Sequence, residues 1–137
     1  MTDTSVYNCN VFTLPKVHNR AGNITALNNS TDLPFDVHRV FYLYDIPGGE
    51  FRGGHAHKEL HQLIVAVSGS FDITVDDGQN KKTVSLNRPY YGLHVIPGVW
   101  SALSNFSSGA ICLVLASHKY DESDYIRDYP EFISWKK

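Results

Sequence analysis

From Arg39 to Ala116 the apolar residues come in short runs separated by glycine, proline, asparagine and aspartate. Short runs between turn signals are the pattern of a β-sandwich or barrel, whereas a βαβ fold would alternate strands with helical stretches. The pattern predicts strands over Val40–Asp45, Gln62–Ser68, Ser70–Val75, Lys82–Leu86, Tyr91–Ile96 and Ala110–Ala116. Asp77-Gly78 marks a hairpin, because glycine accepts the positive φ of a tight two-residue turn. The run VFYLYDI is apolar or aromatic at nearly every position, so alternation assigns it no inner face. Such a strand is buried on both sides or lies at a subunit contact. Upstream, VFTLP and GNITAL read as two further short strands that pair with this chain's sheet or with a partner's, with Asn28-Asn29 and Pro34 as breaks. Near the C-terminus, Tyr125, Ile126, Tyr129 and Phe132 recur at helical spacing, and Asp121 or Ser123 is available as a cap. This predicts a short surface helix closing one end of the barrel.

Length and composition narrow the picture. With 137 residues the chain has material for one core, and a single domain over residues 1–137 is expected. Its 42% apolar and 19% charged residues are those of a globular protein. A formal charge of −2, with no basic cluster beyond Lys81-Lys82 and Lys136-Lys137, argues against nucleic acid as a partner. A phosphorylated small molecule stays open, since two or three convergent basic groups suffice to hold it. No apolar run has the length of a membrane span, and MTDTSVYNCN lacks the basic and apolar regions of a secretory signal, so a cytoplasmic protein is expected. Two cysteines, Cys9 and Cys112, are too few for a disulfide framework. Cys112, inside AICLVLA, reads as a small buried apolar residue.

Chemistry concentrates in GGEFRGGHAHKELHQLIVAVSG, Gly48 to Gly69. His55 and His57 are separated by one residue, so on an extended chain both point to one face, roughly 6–7 Å apart at Cα. Two imidazoles are therefore expected to converge on one cavity. The segment resembles the cupin signature G-x5-H-x-H-x3-4-E-x6-G, with Gly49, His55, His57 and Gly69 at its places. Downstream, Pro97, Gly98, Ser101 and Asn105 resemble the second cupin element. A metal cupin would supply two histidines, a glutamate and a third histidine, but here Gln62 and Ser101 stand at the last two places. Neutral amide and hydroxyl oxygens are poor partners for zinc or iron, so no metal and no cofactor is expected, unless His61 or His94 substitutes as a ligand. Two close imidazoles without a metal suit proton transfer. Histidine titrates near neutral pH, and neighbouring like charges keep one ring neutral.

The chain further resembles the dTDP-4-keto-6-deoxyglucose 3,4-ketoisomerase family, of the FdtA/QdtA, WxcM-like type. The segments that carry the likeness are GNITAL, RVFYLYD, RGGHAHK, GLHVIPGVW and NFSSGAICLVLASHKYDESDYIRDY. The resemblance implies an all-β cupin, a double-stranded β-helix or jelly-roll barrel with a short C-terminal helix. It also implies a homodimer with N-terminal strands exchanged between subunits. The implied substrate is a dTDP-linked keto-sugar: a base takes the proton from carbon 3, an enediol forms, and a proton returned at carbon 4 leaves a 3-keto sugar for an aminotransferase. By the same resemblance His55 matches the principal base and His57 its partner. Arg39 and Arg52 match basic positions expected to hold the diphosphate, and Tyr42 and Ser101 are further expected contacts to substrate.

Three positions depart from the family pattern: Phe41 replaces a tyrosine, Ala21 an arginine or tyrosine, and Ser101 a histidine or arginine. Phenylalanine donates no proton, and the adjacent Tyr42 points to the other face of a strand. These departures keep two alternatives beside the isomerase: a sugar-nucleotide-binding cupin without turnover, and a related sugar epimerase.

Overall fold

In a computed structural model that describes residues 4–137, the chain forms twelve strands and one α-helix. The strands are β1 (Val11–Thr13), β2 (Val17–Asn19), β3 (Gly22–Ile24), β4 (Arg39–Leu43), β5 (Arg52–His57) and β6 (Gln62–Ser68). They continue as β7 (Phe71–Asp76), β8 (Lys81–Leu86), β9 (Tyr91–Val95), β10 (Trp100–Ser104), β11 (Ile111–Ala116) and β12 (Tyr125–Ile126), followed by helix α1 (Tyr129–Lys136). All six strands predicted from the apolar runs are present, Gln62–Ser68 with its predicted bounds and the others with at least one end displaced by one or two residues. β4, for example, stops at Leu43 because Asp45 turns to a φ of +55°. β5 and β10 were not predicted, since glycines hide the first and the second is a short run directly after a Pro-Gly turn.

Two five-stranded antiparallel sheets face each other, in the orders β1-β9-β6-β11-β4 and β12-β5-β10-β7-β8. Their inner faces bury Ile64, Phe71, Ile73, Val75, Leu93 and Val114, and Phe71 packs on Phe106 with ring centres 5.4 Å apart. Each such side chain contributes about 1.5–3 kcal/mol by leaving water. This is the all-β barrel with a C-terminal helix that the strand pattern and the cupin signature imply.

Pairing with β11 gives the ambiguous VFYLYDI run an inner face. Arg39, Phe41 and Leu43 point inward, while Val40 and Tyr42 are more than half exposed on the outside. A second apolar cluster covers part of that outer face, where the segment around Leu27, Leu33 and Phe35 lies on Leu63, Val65 and Leu115. The hairpin β2–β3 pairs only with itself and is exposed throughout.

Gly69, which closes the signature, is required by geometry. Its φ is +67°, and a Cβ there would strike Ser107 Oγ and lie 2.9 Å from Ala110 Cα.

The C-terminal expectation needs correction. Tyr125 and Ile126 form β12 against β5, and the helix begins only at Tyr129, capped by Asp128, whose carboxylate accepts from the Glu131 N–H at 3.1 Å. Asp121 caps a short 3-10 turn at Glu122–Asp124 instead. α1 covers the outer face of the second sheet and does not close the barrel end. Phe132 is fully buried against Ala56 and Ile126, beside Trp100.

Candidate active site

Between the sheets lies a cavity of about 370 Å³. β4 sends Arg39 and Phe41 into it, and β5 sends Arg52 and His55. In a regular strand residues 52 and 55 would face opposite sides, being an odd number apart. β5 is not regular. Ser101 pairs with His55 but Leu103 pairs with Arg52, so three steps on β5 oppose two on β10. The extra residue is a bulge in which Gly53 takes a φ of +93°, and it turns Arg52 onto the same side as His55. Ser101 sits opposite His55 in the ladder, buried on the cavity wall.

His55 and His57 share a face, as their spacing requires, with ring centres 4.9 Å apart and planes nearly perpendicular. They do not converge equally on the cavity. His55 lines the wall, whereas His57 stands behind it at 5% exposure. His57 is held at both nitrogens. Nδ1 is 3.1 Å from Asp124 Oδ2, and Nε2 is 3.5 Å from the Gln62 side-chain nitrogen. A carboxylate only accepts, so Nδ1 carries the proton and Nε2 accepts from the Gln62 amide. Asp124 is fixed in turn by the backbone N–H groups of Glu59 (2.8 Å) and Leu60 (3.3 Å).

Burial is the main reason the His55 pKa falls to about 4, with His57 and Arg127 pushing the same way. Burial also lowers His57, and the charge and hydrogen bond of Asp124 partly restore it. Both rings are therefore neutral at pH 7. His55 lines the cavity, and its Nε2 is buried with no hydrogen-bond partner among the described residues.

Two cations also line the cavity, Arg39 from the sheet opposite His55 and Arg127 just beyond β12, the strand paired with β5. The Arg39 guanidinium lies 4.5 Å from the centre of the Phe41 ring and 5.2 Å from that of Tyr120, and its Nη1 is likewise buried without a hydrogen-bond partner among the described residues. Arg127 lies over the Tyr125 ring at 4.1 Å and binds Glu122 through two bonds, Nε to Oε2 at 2.9 Å and Nη2 to Oε1 at 3.0 Å. Hydrogen bonds from Arg127 and Tyr120 pull the Glu122 pKa down to about 2.

Tyr125, Arg127 and Asp124 were not singled out from the sequence, because that stretch read as helix. As a strand, Tyr125 pairs with His57 and so shares its face, with ring centres 4.3 Å apart. Arg127, two residues on, lines the same cavity. The i, i+2 spacing of Tyr125 and Arg127 was the available signal.

Tyr42 is corrected: 59% exposed, it packs on Tyr44 outside the barrel, because the strand neighbour of an inward Phe41 must point outward. His61 and His94 also lie away from the cavity, bonded to each other at 2.9 Å beside Phe35, so neither replaces a missing ligand next to His55. Among the described residues no group of three or more His, Cys, Asp or Glu side chains is gathered as a metal shell.

Comparison with known proteins agrees with this geometry. The family model FdtA, described as WxcM-like, C-terminal, matches residues 7–137. A protein of Aneurinibacillus thermoaerophilus named TDP-4-oxo-6-deoxy-alpha-D-glucose-3,4-oxoisomerase is 41% identical over 122 residues, which are 89% of this chain and 88% of that one. A 3,4-ketoisomerase structure from Helicobacter canadensis superposes with a TM-score of 0.91 at 40% identity, covering 94% of this chain and 97% of the other. A mutant of the 3,4-ketoisomerase QdtA from Thermoanaerobacterium thermosaccharolyticum, solved in complex with TDP-4-keto-6-deoxyglucose, superposes with a TM-score of 0.93 at 35% identity and 96% coverage of each chain.

Proposed function

The chain belongs to the FdtA, WxcM-like family, and from that membership we infer that it is a sugar-nucleotide 3,4-ketoisomerase acting on a TDP-linked 4-keto-6-deoxyhexose. The observation that carries the reading to this chain is His55: a neutral imidazole on the wall of a cavity of sugar size, whose Nε2 has no hydrogen-bond partner among the described residues. A C–H bond alpha to a ketone is acidic enough for such a base. His55 takes the proton from carbon 3 and later delivers it to carbon 4. His57 is its partner, a positioning residue packed edge-on against the base and itself held by Asp124.

Arg52 on the wall supplies planar donors suited to the diphosphate. Ser101, level with His55, is placed to contact the sugar. Tyr42, outside the barrel, has no such contact within its own chain.

The assembly proposed is a homodimer of one-domain subunits whose N-terminal strands are exchanged. Two observations support it: the hairpin β2–β3 finds no further strand partner among the described residues, and Val17, Ile24, Val40 and Tyr44 are all more than half exposed. Such apolar faces are buried between subunits. No helix among the described residues is long and apolar enough to cross a membrane. The free buried thiols of Cys9 and Cys112 support a reducing compartment, and we place the protein in the cytoplasm.

Incubation with TDP-4-keto-6-deoxyglucose, followed by proton NMR of the sugar, tests the assignment. A 3-keto product is expected. TDP binding without product would leave a binding protein, and inversion at carbon 3 or 5 with the ketone still at carbon 4 would make it an epimerase. Light scattering of the purified protein reads the dimer.

A further inference from the structure

Deprotonation next to a ketone moves an electron pair onto the carbonyl oxygen, and enzymes stabilise that charge with a donor already in place. His55 is the base, so the donor must be another group on the cavity wall. Several of the polar groups there are occupied or remote, and Ser101 and Tyr125 carry neutral hydroxyls, weaker donors to a developing charge than a guanidinium. Arg127 is bound through two bonds to Glu122, and Gln62 is engaged with His57. Arg52 is exposed at the start of β5, and Phe41 has no donor.

Arg39 differs from all of these. Its Nη1 and His55 Nε2 are the two buried side-chain nitrogens without a partner among the described residues, one a donor and the other an acceptor, and both residues line the same cavity. The guanidinium is held in place by the faces of Phe41 and Tyr120. It also sits level with the imidazoles. Arg39 is in register with Ala116, and Ala116 with Gln62, so Arg39 and the residue that touches His57 lie in one row across the sheet, two strands and about 10 Å apart. Arg39 as a whole is only partly buried, but its Nη1 is out of water and unpaired, and a buried donor left unpaired calls for an acceptor.

Resting on the ketoisomerase reading, we propose that Arg39 is a catalytic residue, the donor that stabilises the developing oxyanion at carbon 4, and that it does not clamp the diphosphate. In the forward step His55 Nε2 takes the proton of carbon 3. The C–H electron pair forms the C3=C4 double bond, and the carbonyl π pair moves to O4, which accepts a hydrogen bond from Arg39 Nη1. Arg39 keeps its proton throughout, as a guanidinium does. In the return step His55 delivers the proton to carbon 4, O3 becomes the new carbonyl, and the O3 proton passes to the adjacent O4. Every proton lost by the substrate is regained by the product.

The test compares turnover with TDP affinity in Arg39→Gln and Arg39→Lys. Arg39→Gln is expected to lower kcat about a hundredfold or more, the usual effect of losing an oxyanion donor. The Kd for TDP, by calorimetry, should stay within about threefold, because the interaction forms only as charge develops. Arg39→Lys should lie between, keeping the charge and losing the planar fork. If TDP affinity falls in step with turnover, Arg39 is a diphosphate ligand and the proposal is overturned. Wild-type turnover in Arg39→Gln also overturns it while leaving the ketoisomerase reading intact. A wild-type protein that makes no 3-keto sugar overturns both. Should Arg39→Gln not fold, the same split between kcat and Kd in Arg39→Lys decides.

Discussion

Asparagine at position 124 would change one atom and invert the proton arrangement behind the base. Asp124 accepts three hydrogen bonds: from the Glu59 N–H at 2.8 Å, the Leu60 N–H at 3.3 Å and His57 Nδ1 at 3.1 Å. In Asp124→Asn the amide oxygen keeps the shortest of these, on Glu59, and the new NH2 group replaces the oxygen that faced Leu60 and His57. His57 Nδ1 then has a donor in front of it, so it must accept, and its proton moves to Nε2, opposite the Gln62 amide. The contact between Asp124 O and the Lys58 N–H, 3.0 Å, is untouched, so the loop stays anchored. One bond to a charged acceptor is lost and another is weakened, which costs about 2–4 kcal/mol. The His57 pKa falls further, since the Asp124 charge and hydrogen bond now hold it up. Turnover should drop about ten- to hundredfold, as on losing an orienting partner of a functional histidine. Urea unfolding measures the stability, nitrogen-15 NMR of the imidazoles reads the tautomer, and product formation gives kcat. A variant of unchanged stability whose His57 still carries its proton on Nδ1 would refute the reasoning.

Acidification gives a second prediction. Folded His55 and His94 have pKa values of about 4, lowered chiefly by burial, against about 6.5 for the unfolded chain. The unfolded state therefore takes up protons first. The histidine contribution is full above pH 6.5 and declines as the pH falls from 6.5 to 4, by up to about 3 kcal/mol for His55 and by less for the half-exposed, solvent-screened His94. A urea midpoint identical at pH 7 and pH 5 would contradict this. Among the glycines, Gly69→Ala should destabilise by about 2 kcal/mol or more, through its positive φ and the clash with Ala110. Gly109→Ala, with a φ of +74° but open space around it, should cost only about 1 kcal/mol, and equal losses in thermal unfolding would show that the clash is unimportant. Cys9 and Cys112 are fully buried, and burial pushes the Cys112 thiol up to about 12, so a thiol reagent should label either one only on unfolding. Rapid labelling of the native protein would refute that.

Much of the fold and the centre of the site were legible in the sequence, because they depend on local geometry. Strands repeat every two residues, so His55-x-His57 had to place two imidazoles on one face, and Phe41 and Tyr42 had to point opposite ways. Glycine alone tolerates the closed turn at Gly69. Which of Phe41 and Tyr42 faced inward was not local: the run is apolar on both sides, and only its pairing with β11 decided it.

Tertiary structure also decided everything that depends on register and on pairing between distant segments. The bulge at Gly53 reverses the side on which Arg52 emerges, and a bulge is a mismatch between two strands that neither strand displays by itself. β12 forms because β5 offers it a backbone edge, and that contact outweighs the helical spacing of Tyr125, Ile126 and Tyr129. Through it Asp124 reaches His57 across 67 positions of chain, and Arg127 joins the cavity wall. The two unpartnered nitrogens of Arg39 and His55 come to one cavity from strands in opposite sheets. Residue type and spacing thus determined that the chain carries two histidines on one strand face, while the closure of two sheets around them determined which histidine lines the cavity and which cation stands opposite.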